Sequence, residues 1–492
     1  MSKKKSHSRP GRPPLKSKNK GRLPLRRRGR PPKKPEEKIK FKKYSPKILR
    51  GMQDILPTEQ HYWDFVVEKA ISLAKAYGFE KIETPILEEK ILFTQGVGLT
   101  TDIVEKQMYA FLDRGGDEIC LRPEVTASVC RAYIEHGMNN LPQPVKLFYF
   151  GPLFRYERPQ AGRSRQFFQF GLEVLGSEKP VTDAQIILFT YVLFKTLGIN
   201  VIIQINSIGC LTCRKIYRKK LVDYLKSKRR WLCSVCQDRL ERNPLRILDC
   251  KEMGCQEFII QAPQIVDYLC DTCRDHFVKV LEYLDEVNVP YSLNPYLVRG
   301  LDYYTKTVFE VQPVRPEKRD ENLENPPSLS GEIKPAVSEE KAIPKEIGSQ
   351  SALGGGGRYD NLIEMMGGRS TPACGVAFGI ERIVEELKIQ NSKIPKIRGA
   401  QLFIAALGET ANRRALKIFE ELRQAGFRVA ENLAKESLKT QLEIADKLGV
   451  KLTLILGQQE VIDQTVIIRD MASGNQEIID QEKLIQKLRK IL

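Results

Sequence analysis

Two consecutive strand-like stretches carry the side chains best suited to chemistry on a charged ligand. The first ends at Glu157, a loop of residues 158–165 with three arginines turns the chain back, and the second runs from Gln166 to Gly176. Alternation with a period of two assigns the residues of the second strand to two faces. The apolar face carries Phe168, Phe170, Leu172 and Val174, and the other carries Phe167, Gln169, Gly171 and Glu173. The second face therefore presents an aromatic ring, an amide and a carboxylate.

Together with Arg155 and Glu157 on the first strand, this face suits a ligand that has phosphates and an ammonium group. Guanidinium groups bind phosphate through two parallel hydrogen bonds, and carboxylates bind ammonium. An ordinary solvated sheet face with cross-strand pairs would show the same residue types. These residues alone leave both interpretations open.

A second group of reactive side chains lies between residues 207 and 285, which hold eight of the 11 cysteines. They form four pairs, Cys210 and Cys213, Cys233 and Cys236, Cys250 and Cys255, and Cys270 and Cys273. Three pairs have the two-residue spacing that lets two thiolates share one tetrahedral zinc. One interpretation is two structural zinc sites of four thiolates each, with His276 as a spare ligand. The other is a set of reduced thiols in a small helical insertion, and neither gives the cysteines a catalytic role.

The run from Phe154 to Glu157 and the basic loop after it resemble the second signature motif of class II aminoacyl-tRNA synthetases. Residues 158–163 (Arg-Pro-Gln-Ala-Gly-Arg) and 166–169 (Gln-Phe-Phe-Gln) resemble the histidyl-tRNA synthetase version of that motif. Further stretches that match this family or the other class II motifs are 297–304, 352–360, 375–382 and the helix after Pro57 that leads to Thr84 and Pro85. The likeness covers roughly residue 50 to the C-terminus.

The resemblance implies an α+β fold, in which a class II core of antiparallel sheet flanked by helices precedes a C-terminal α/β anticodon-binding domain. It implies a homodimer that uses L-histidine, ATP with Mg²⁺ and tRNA(His). Histidine and ATP would first give histidyl-adenylate and pyrophosphate. The histidyl group would then pass to the 3′ end of the tRNA.

The resemblance also implies roles for individual side chains. Arg155 and Arg299 would contact the α-phosphate from two sides, and Arg299 would replace a metal ion used by related enzymes. Other residues of the implied ATP site are Glu157, Arg163 and Arg382 with the phosphates and Phe167 stacked on adenine. The implied histidine site comprises Glu124, Thr126, Gln169, Glu173, Tyr303 and Tyr304, of which Gln169 and Glu173 hold the amino group and the tyrosines the imidazole. Arg158 and Gln160 would touch the acceptor end of the tRNA.

The chemistry of adenylation agrees with these residue types. The attacking carboxylate is already ionised at neutral pH, so the step needs positioning and charge stabilisation in place of a general base. The chain has four histidines, none of them in the motifs, which disfavours a histidine-based triad. A neutral imidazole has one donor and one acceptor nitrogen, so a carboxylate and a phenol could read both.

Two rival functions remain to be weighed. The regulatory subunit of ATP phosphoribosyltransferase is a non-catalytic relative with the same core fold, but it normally lacks the anticodon-binding domain and the full set of histidine motifs. A DNA-binding protein is the other rival, and it depends on the N-terminal arm. Residues 1–43 hold 19 basic residues, two acidic ones and seven prolines, so they carry nearly all of the net charge of +19.

The arm should be disordered, because it has too little apolar material to bury. Gly11-Arg12-Pro13 and Gly29-Arg30-Pro31 resemble the AT-hook, a peptide that lies in narrow minor grooves. A polycation that concentrates tRNA or other nucleic acid near an enzyme is the simpler interpretation. The arm has neither a secretory signal nor an amphipathic presequence, and no apolar run is long enough to span a membrane. We therefore expect a cytoplasmic protein without a membrane partner.

Composition divides the chain into five segments. Residues 1–43 are the basic extension, 44–206 the first part of the catalytic domain and 207–285 the cysteine-rich insertion. Residues 286–395 are the second part of the catalytic domain, with a disordered insert predicted at 313–350, and 399–492 are the anticodon-binding domain. Alternating strand and helix patterns in the last segment predict a mainly parallel sheet.

Overall fold

The computed structural model describes residues 45–98, 101, 103–159, 162–314, 352–392, 394 and 399–492. The basic extension, residue Gln160 and residues 315–351 therefore lie outside the described residues. The elements below all belong to one unit, Leu49–Leu492. Among the described residues, no helix has both the length and the apolar character needed to cross a membrane.

The chain up to the cysteine-rich region forms helices and strands in alternation. In order they are α1 (Pro57–Ala76), β1 (Glu80–Lys81), β2 (Leu87–Glu89), α2 (Lys90–Gly96), β3 (Tyr109–Leu112), β4 (Glu118–Leu121), α3 (Thr126–Glu135), β5 (Val145–Phe154), β6 (Gln166–Leu175), α4 (Pro180–Leu197) and β7 (Val201–Ser207). Short helices of other types are Ile103–Gln107 and Met138–Asn140. Proline in the first turn favours the start of α4, and Gly198 ends it in the left-handed conformation that glycine tolerates.

The cysteine-rich region is helical. It contains α5 (Leu211–Lys226), α6 (Ser234–Arg242), α7 (Met253–Ile259) and α8 (Asp271–Glu286), with 3₁₀ turns at Arg229–Trp231, Pro244–Asp249 and Ile265–Tyr268. The chain then returns to strands. It adds β8 (Tyr291–Leu293), β9 (Thr305–Pro313), β10 (Gly354–Arg358), α9 (Leu362–Met365), β11 (Ala373–Gly379) and α10 (Ile380–Ile389). Pro313, the first residue of the predicted disordered insert, is the last residue of β9, and residues 315–350 of that insert lie outside the described residues.

One eight-stranded sheet joins the segments on both sides of the helical region. Its order is β1-β5-β6-β11-β10-β9-β7-β8, and only the two edge pairs, β1 with β5 and β7 with β8, are parallel. A small antiparallel sheet has the order β2-β4-β3. The predicted class II fold, an antiparallel sheet with flanking helices, is thus confirmed.

Helices α1, α4, α8 and α10 cover one face of the large sheet. Their apolar side chains pack in a single core with strand residues that include Phe170, Leu172 and Val174. These are residues of the face of β6 that alternation assigned to the core. The opposite face of β6, with Gln169 and Glu173, lies outside this core.

The C-terminal part forms a separate five-stranded sheet with helices around it. Its elements are β12 (Leu402–Ala406), α11 (Glu409–Gln424), β13 (Val429–Glu431), α12 (Leu438–Lys447), β14 (Leu452–Leu456), α13 (Gln458–Ile462), β15 (Thr465–Asp470), β16 (Gln476–Asp480), a 3₁₀ turn at Gln481–Lys483 and α14 (Leu484–Ile491). The order is β13-β12-β14-β15-β16.

The prediction of a mainly parallel C-terminal sheet is wrong. β12 pairs in parallel with β13 and β14, whereas β15 is antiparallel to both β14 and β16. Parallel neighbours need a crossover of about a dozen residues or more. The connection from Leu456 to Thr465 is shorter than that and therefore returns the chain antiparallel.

Candidate active site

A cavity of about 300 Å³ opens on the face of the large sheet that the four helices leave uncovered. Twelve of the sequence-predicted residues line it: Glu124, Thr126, Arg155, Glu157, Arg163, Phe167, Gln169, Glu173, Arg299, Tyr303, Tyr304 and Arg382. Arg158 is exposed and is not part of the lining, and Gln160 lies outside the described residues. The fold therefore brings together residues from β5, β6, the 298–304 segment and α10, which are far apart in sequence.

Two carboxylates share the inner part of the cavity. Glu124 precedes α3 and accepts hydrogen bonds from the backbone amides of Thr126 and Ala127, each at 2.8 Å. Glu173 on β6 accepts one from the Thr126 hydroxyl at 2.7 Å and another from the Tyr359 hydroxyl. Thr126 thus links the two acids, and both lie almost out of contact with solvent.

Burial changes the proton affinity of both acids. It raises the pKa of Glu124, although the two backbone amides oppose this effect. It raises the pKa of Glu173 to about 8, in spite of the hydrogen bonds from Tyr359 and Thr126. The neutral hydroxyl donors of Glu173 do not offset its burial, whereas a cation placed beside it would favour the ionised form.

Tyrosine hydroxyls surround these carboxylates. Tyr303 and Tyr304 are buried, with ring centroids 4.8 Å apart, and Tyr303 also contacts the ring of Tyr359. Burial raises the pKa of all three phenols, so they stay neutral and can donate or accept a hydrogen bond. Tyr149 on β5 lies opposite Gly171, where any side chain would overlap its ring.

The arginines form a second cluster in the same cavity. Arg155 donates from Nε to the Pro123 carbonyl at 2.9 Å, and its guanidinium lies 5.1 Å from the ring centre of Phe167. Arg382 donates to the carbonyls of Gly162 and Ala352 at 3.0 and 2.9 Å. These neutral acceptors fix the guanidinium groups, and the Glu157 carboxylate, 3.9 Å from Arg155, offsets only part of their charge.

Charge repulsion lowers the pKa of an arginine in this cluster. Burial and then the nearby cations Arg163 and Arg155 lower the pKa of Arg382 to about 10. Among the described residues, Glu157 pairs with Arg163 at 3.6 Å. A group of cations that lower the pKa of one another is suited to a polyanion such as a triphosphate.

Arg299 approaches the cavity from the segment before β9. Its Nη1 lies 2.8 Å from a carboxylate oxygen of Glu310, and a Cβ on Gly355 would come within 2.6 Å of that nitrogen. Burial alone would lower the pKa of Arg299, but Glu310 and the neighbouring tyrosines leave it raised. Position 355 therefore requires glycine, because a side chain there would displace the guanidinium group of Arg299.

Several lining residues were not found by sequence reasoning. Tyr149 could have been, since alternation along β5 puts it on the same face as Arg155. Tyr359 and Glu381 lie inside matched motifs but had no assigned role; burial raises the pKa of Glu381 to about 7. No sequence pattern pointed to Glu310, because its importance comes from pairing with Arg299 in the folded chain.

The eight cysteines of the helical region form two groups of four. Cys210 and Cys213 meet Cys270 and Cys273, and Cys233 and Cys236 meet Cys250 and Cys255. Within each group the ligand atoms lie within 4.8 Å of one another. His276 is in neither group and lies instead 3.4 Å from Asp183 of α4, so its predicted role as spare ligand does not fit the geometry.

The spacing of the sulfurs fits a tetrahedral metal. A zinc ion with four bonds to sulfur of normal length places the sulfurs about 3.8 Å apart. The Sγ atoms of Cys210 and Cys213 are 3.6 Å apart, and those of Cys233 and Cys250 are 3.9 Å apart. Backbone amides of Cys270 and Cys233 donate to Cys213 and Cys255 at 3.1 and 3.3 Å, as is usual around thiolate ligands.

Comparison with known proteins gives one consistent answer. Residues 51–313 match the family model described as histidyl-tRNA synthetase, and residues 401–491 match an anticodon binding domain. The histidine–tRNA ligase of Desulforamulus reducens is 44% identical over 421 residues, which cover 85% of this chain and 93% of that protein. The corresponding protein of Caldicellulosiruptor saccharolyticus is 45% identical over 414 residues, 84% of this chain and 91% of the relative.

A solved structure agrees with the sequence relatives. The apo histidyl-tRNA synthetase of S. aureus has a TM-score of 0.69 and 34% sequence identity to this chain. The match covers 90% of this chain and 99% of that structure.

Proposed function

The chain belongs to the histidyl-tRNA synthetase family, and we propose that the cavity on its large sheet is where histidine is joined to ATP. The chain activates L-histidine as histidyl-adenylate and transfers the histidyl group to the 3′ end of its tRNA. Its relatives are named as ligases, so the regulatory-subunit alternative is not favoured. The observation that carries the site assignment is the presence of two buried acids and a cluster of self-repelling arginines in one cavity.

In the first step, an oxygen of the histidine carboxylate bonds to the α-phosphorus of ATP, and the bond from that phosphorus to the β-phosphate oxygen breaks. Pyrophosphate leaves with the negative charge. We assign Arg155 and Arg299 to the α-phosphate, where charge builds up during the displacement, and Arg163 and Arg382 to the outer phosphates. Phe167, beneath Arg155 at 5.1 Å, is assigned to adenine. Catalysis then consists of orientation and electrostatic stabilisation.

Histidine itself is held by hydrogen bonds that only the correct side chain satisfies. The ammonium group is assigned to Glu173 with Gln169, which restores the charge that burial disfavours on Glu173. The two imidazole nitrogens are assigned to Glu124 and the hydroxyls of Tyr303 and Tyr304. A site of buried polar groups rejects an amino acid without these nitrogens by orders of magnitude, since its own groups would remain unpaired.

ATP is used with Mg²⁺ in this class of enzymes, and the cavity has oxygen ligands that fit the ion. Glu310 and Glu381 line it together with the arginines, and carboxylate oxygens are the ligands that Mg²⁺ prefers. When bound, the ion neutralises charge on the outer phosphates. We assign these two acids to that task.

In the second step, a ribose hydroxyl at the 3′ end of the tRNA attacks the carbonyl carbon of the adenylate. The bond from that carbon to the phosphate oxygen breaks, AMP leaves with the bonding electrons, and the hydroxyl proton passes to a phosphate oxygen or to water. The acceptor end must reach the cavity past the 158–165 loop. Arg158 is exposed there, and we assign Arg158 and Gln160 to contacts with the acceptor end. Gln160 lies outside the described residues.

We propose that each four-cysteine group binds one structural zinc. The sulfur separations and the backbone donors fit this metal, and thiolates are ligands that zinc prefers. Elemental analysis of the purified chain should give two zinc ions per chain. Cys213→Ser and Cys255→Ser, each from a different group, should each leave one. A metal-free chain with normal thermal stability would contradict the proposal.

We also propose a homodimer. The small sheet and α2 carry large apolar side chains that are exposed in the single chain, namely Leu87, Ile91, Phe111 and Leu112. Burial against a second copy would remove this apolar surface from water. Sedimentation at micromolar concentration should give twice the mass of one chain, and Phe111→Lys should shift the protein towards the monomer.

For the basic extension we propose a salt-sensitive contact with tRNA or other nucleic acid. The AT-hook alternative predicts a preference for A/T-rich duplex over tRNA at matched salt. Because the chain acts in translation, we propose the cytoplasm as its place of action.

The site assignment is tested by amino-acid-dependent exchange of radioactive pyrophosphate into ATP. Histidine should support exchange, whereas phenylalanine and tyrosine should not, because they lack the two ring nitrogens. Exchange with equal rates for phenylalanine would show that Glu124 and the tyrosines do not read an imidazole.

A further inference from the structure

The helical insertion contributes side chains to the active-site cavity. Arg246 and Asp249 line it, although they belong to the 3₁₀ turn Pro244–Asp249 and not to the sheet. Nη1 of Arg246 lies 3.5 Å from Asp249, and the Arg246 side chain is 15% exposed. Neither residue has a role in the assignments above.

The turn that carries Arg246 is held by one cysteine group. It lies between Cys236 and Cys250, both members of that group, and is directly followed by Cys250. Within the turn, Ile247 and Leu248 are buried in the same apolar cluster as Tyr303 and Tyr304 of the histidine site. The metal ligands, the turn and the wall of the active site thus form one continuous packed region.

The same turn contacts the segment that contains Arg299. A Cβ placed on Gly300 would lie 3.3 Å from Nη1 of Arg246, so the guanidinium lies directly against the backbone next to Arg299. Asn243, just before the turn, donates to a carboxylate oxygen of Asp302 at 3.0 Å. Arg214 of α5 donates to the Asp302 carbonyl at 3.1 Å. The insertion therefore contacts the Arg299–Asp302 segment at two positions, Gly300 and Asp302.

We propose that Arg246 is a positioning residue for Arg299, and that the metal bound by Cys233, Cys236, Cys250 and Cys255 keeps Arg246 in place. This inference rests on the proposed zinc site and on the role proposed for Arg299. Gly300 lacks a side chain, so the Arg299–Asp302 segment has an intrinsically free backbone at the point where Arg246 lies. A displacement of about 1 Å in a group that stabilises the transition state can cost about a hundredfold in rate.

The other cysteine group provides an internal comparison. Cys210, Cys213, Cys270 and Cys273 join the end of β7 to the start of α8 and do not flank the turn with Arg246. A metal there reaches the Arg299–Asp302 segment through Arg214, which follows Cys213 and donates to the Asp302 carbonyl, and not through Arg246. The two groups should therefore differ in how strongly their metal affects the rate.

The experiment is a double-mutant cycle on histidine-dependent pyrophosphate exchange with the full-length protein. Arg246→Ala should lower kcat at least tenfold and change KM for ATP and histidine less than threefold, because Arg299 acts in the transition state. In the Arg299→Ala background, Arg246→Ala should have no further effect, since its influence passes through Arg299. Arg229→Ala, an exposed arginine of the insertion that pairs with Glu241, is the matched control and should keep the wild-type rate.

Two results would overturn the inference. The two residues would have independent roles if the fold-losses in rate of Arg246→Ala and Arg299→Ala multiply in the double variant. A raised KM with unchanged kcat in Arg246→Ala would show ordinary substrate binding. Thermal unfolding of each variant, together with Arg246→Lys, which retains the charge, separates these outcomes from a loss of fold.

The role of the metal is tested by measuring zinc content and the rate of pyrophosphate exchange on the same samples. Cys255→Ser should lose one zinc and lower kcat as much as Arg246→Ala does. A wild-type chain without zinc would refute the proposed metal sites but leave the Arg246–Arg299 coupling measurable. Full zinc content in the wild type and an unchanged kcat in a zinc-depleted Cys255→Ser variant would refute the coupling to the metal alone.

Discussion

Binding of histidine should release a proton from Glu173. In the free protein, burial raises the pKa of this carboxyl to about 8, so it is about nine-tenths protonated at pH 7. A substrate ammonium at hydrogen-bond distance favours the charged form and lowers this pKa again. Histidine binding should therefore release about 0.9 proton at pH 7.

The same linkage sets the pH dependence of affinity. Only the ionised carboxylate pairs with the ammonium, so the affinity for histidine should rise as the pH approaches the pKa of free Glu173 from below. Keeping the group ionised at pH 7 costs about 1.4 kcal/mol, which weakens binding about tenfold relative to a carboxylate that is already ionised in the free protein. The comparison should be made between about pH 7 and about pH 8, because the imidazole of free histidine titrates below that range and its α-amino group above it.

Calorimetry in two buffers of different ionisation enthalpy measures the released proton directly. The apparent binding enthalpy at pH 7 should differ between the two buffers by nearly the whole difference in their ionisation enthalpies, because almost one proton is released. Glu173→Gln should abolish this difference. A ligand control is imidazolepropionate, which lacks the ammonium and should release no proton. Equal buffer dependence in the wild type and in Glu173→Gln would refute the assignment of the ammonium to Glu173, with Glu124 as the next group to test.

Three further predictions concern stability, the shape of the site and the extension. Arg358→Met should lower the free energy of unfolding by about 3–5 kcal/mol in urea titrations, because it leaves the buried Asp183 carboxylate without its ion pair; a loss below about 1 kcal/mol would contradict this. Gly375→Ala should weaken histidine binding more than tenfold in calorimetry, since a methyl group there overlaps the Glu173 carboxylate, and unchanged affinity would show that the site relaxes freely. Deletion of residues 1–43 should leave pyrophosphate exchange intact and weaken tRNA binding at low salt in filter-binding assays, whereas unchanged tRNA binding would refute an electrostatic role for the extension.

Much of the site could be predicted because its residues lie in short, regular patterns. Alternation along β6 assigns Gln169 and Glu173 to one face without any structure, and the resemblance of the motifs to a known family implies roles for the arginines. What the sequence could not supply is how distant segments meet. Glu310 matters only because Arg299 pairs with it, and Arg246 matters because a turn of the insertion comes against Gly300.

The cysteines illustrate the same limit. Their spacing predicts pairs, but four pairs can combine into two sites in three ways. The fold selects one of them, joining the first pair to the last and the two middle pairs to each other, because α5 and α8 begin side by side. The C-terminal sheet is a different case, because its antiparallel half could have been predicted. The connection after Leu456 is too short for a parallel crossover, and its length can be seen in the sequence.

The central claim is that the cavity on the large sheet makes histidyl-adenylate and that Arg299 stabilises the transfer. A single-turnover measurement tests it most directly: the full-length chain is mixed with labelled ATP, histidine and pyrophosphatase, and adenylate bound to the protein is counted over time. We predict a rapid burst of one adenylate per active site in the wild type and in Arg229→Ala, and a burst at least a hundredfold slower in a folded Arg299→Ala variant. A wild-type burst rate in Arg299→Ala would contradict the account.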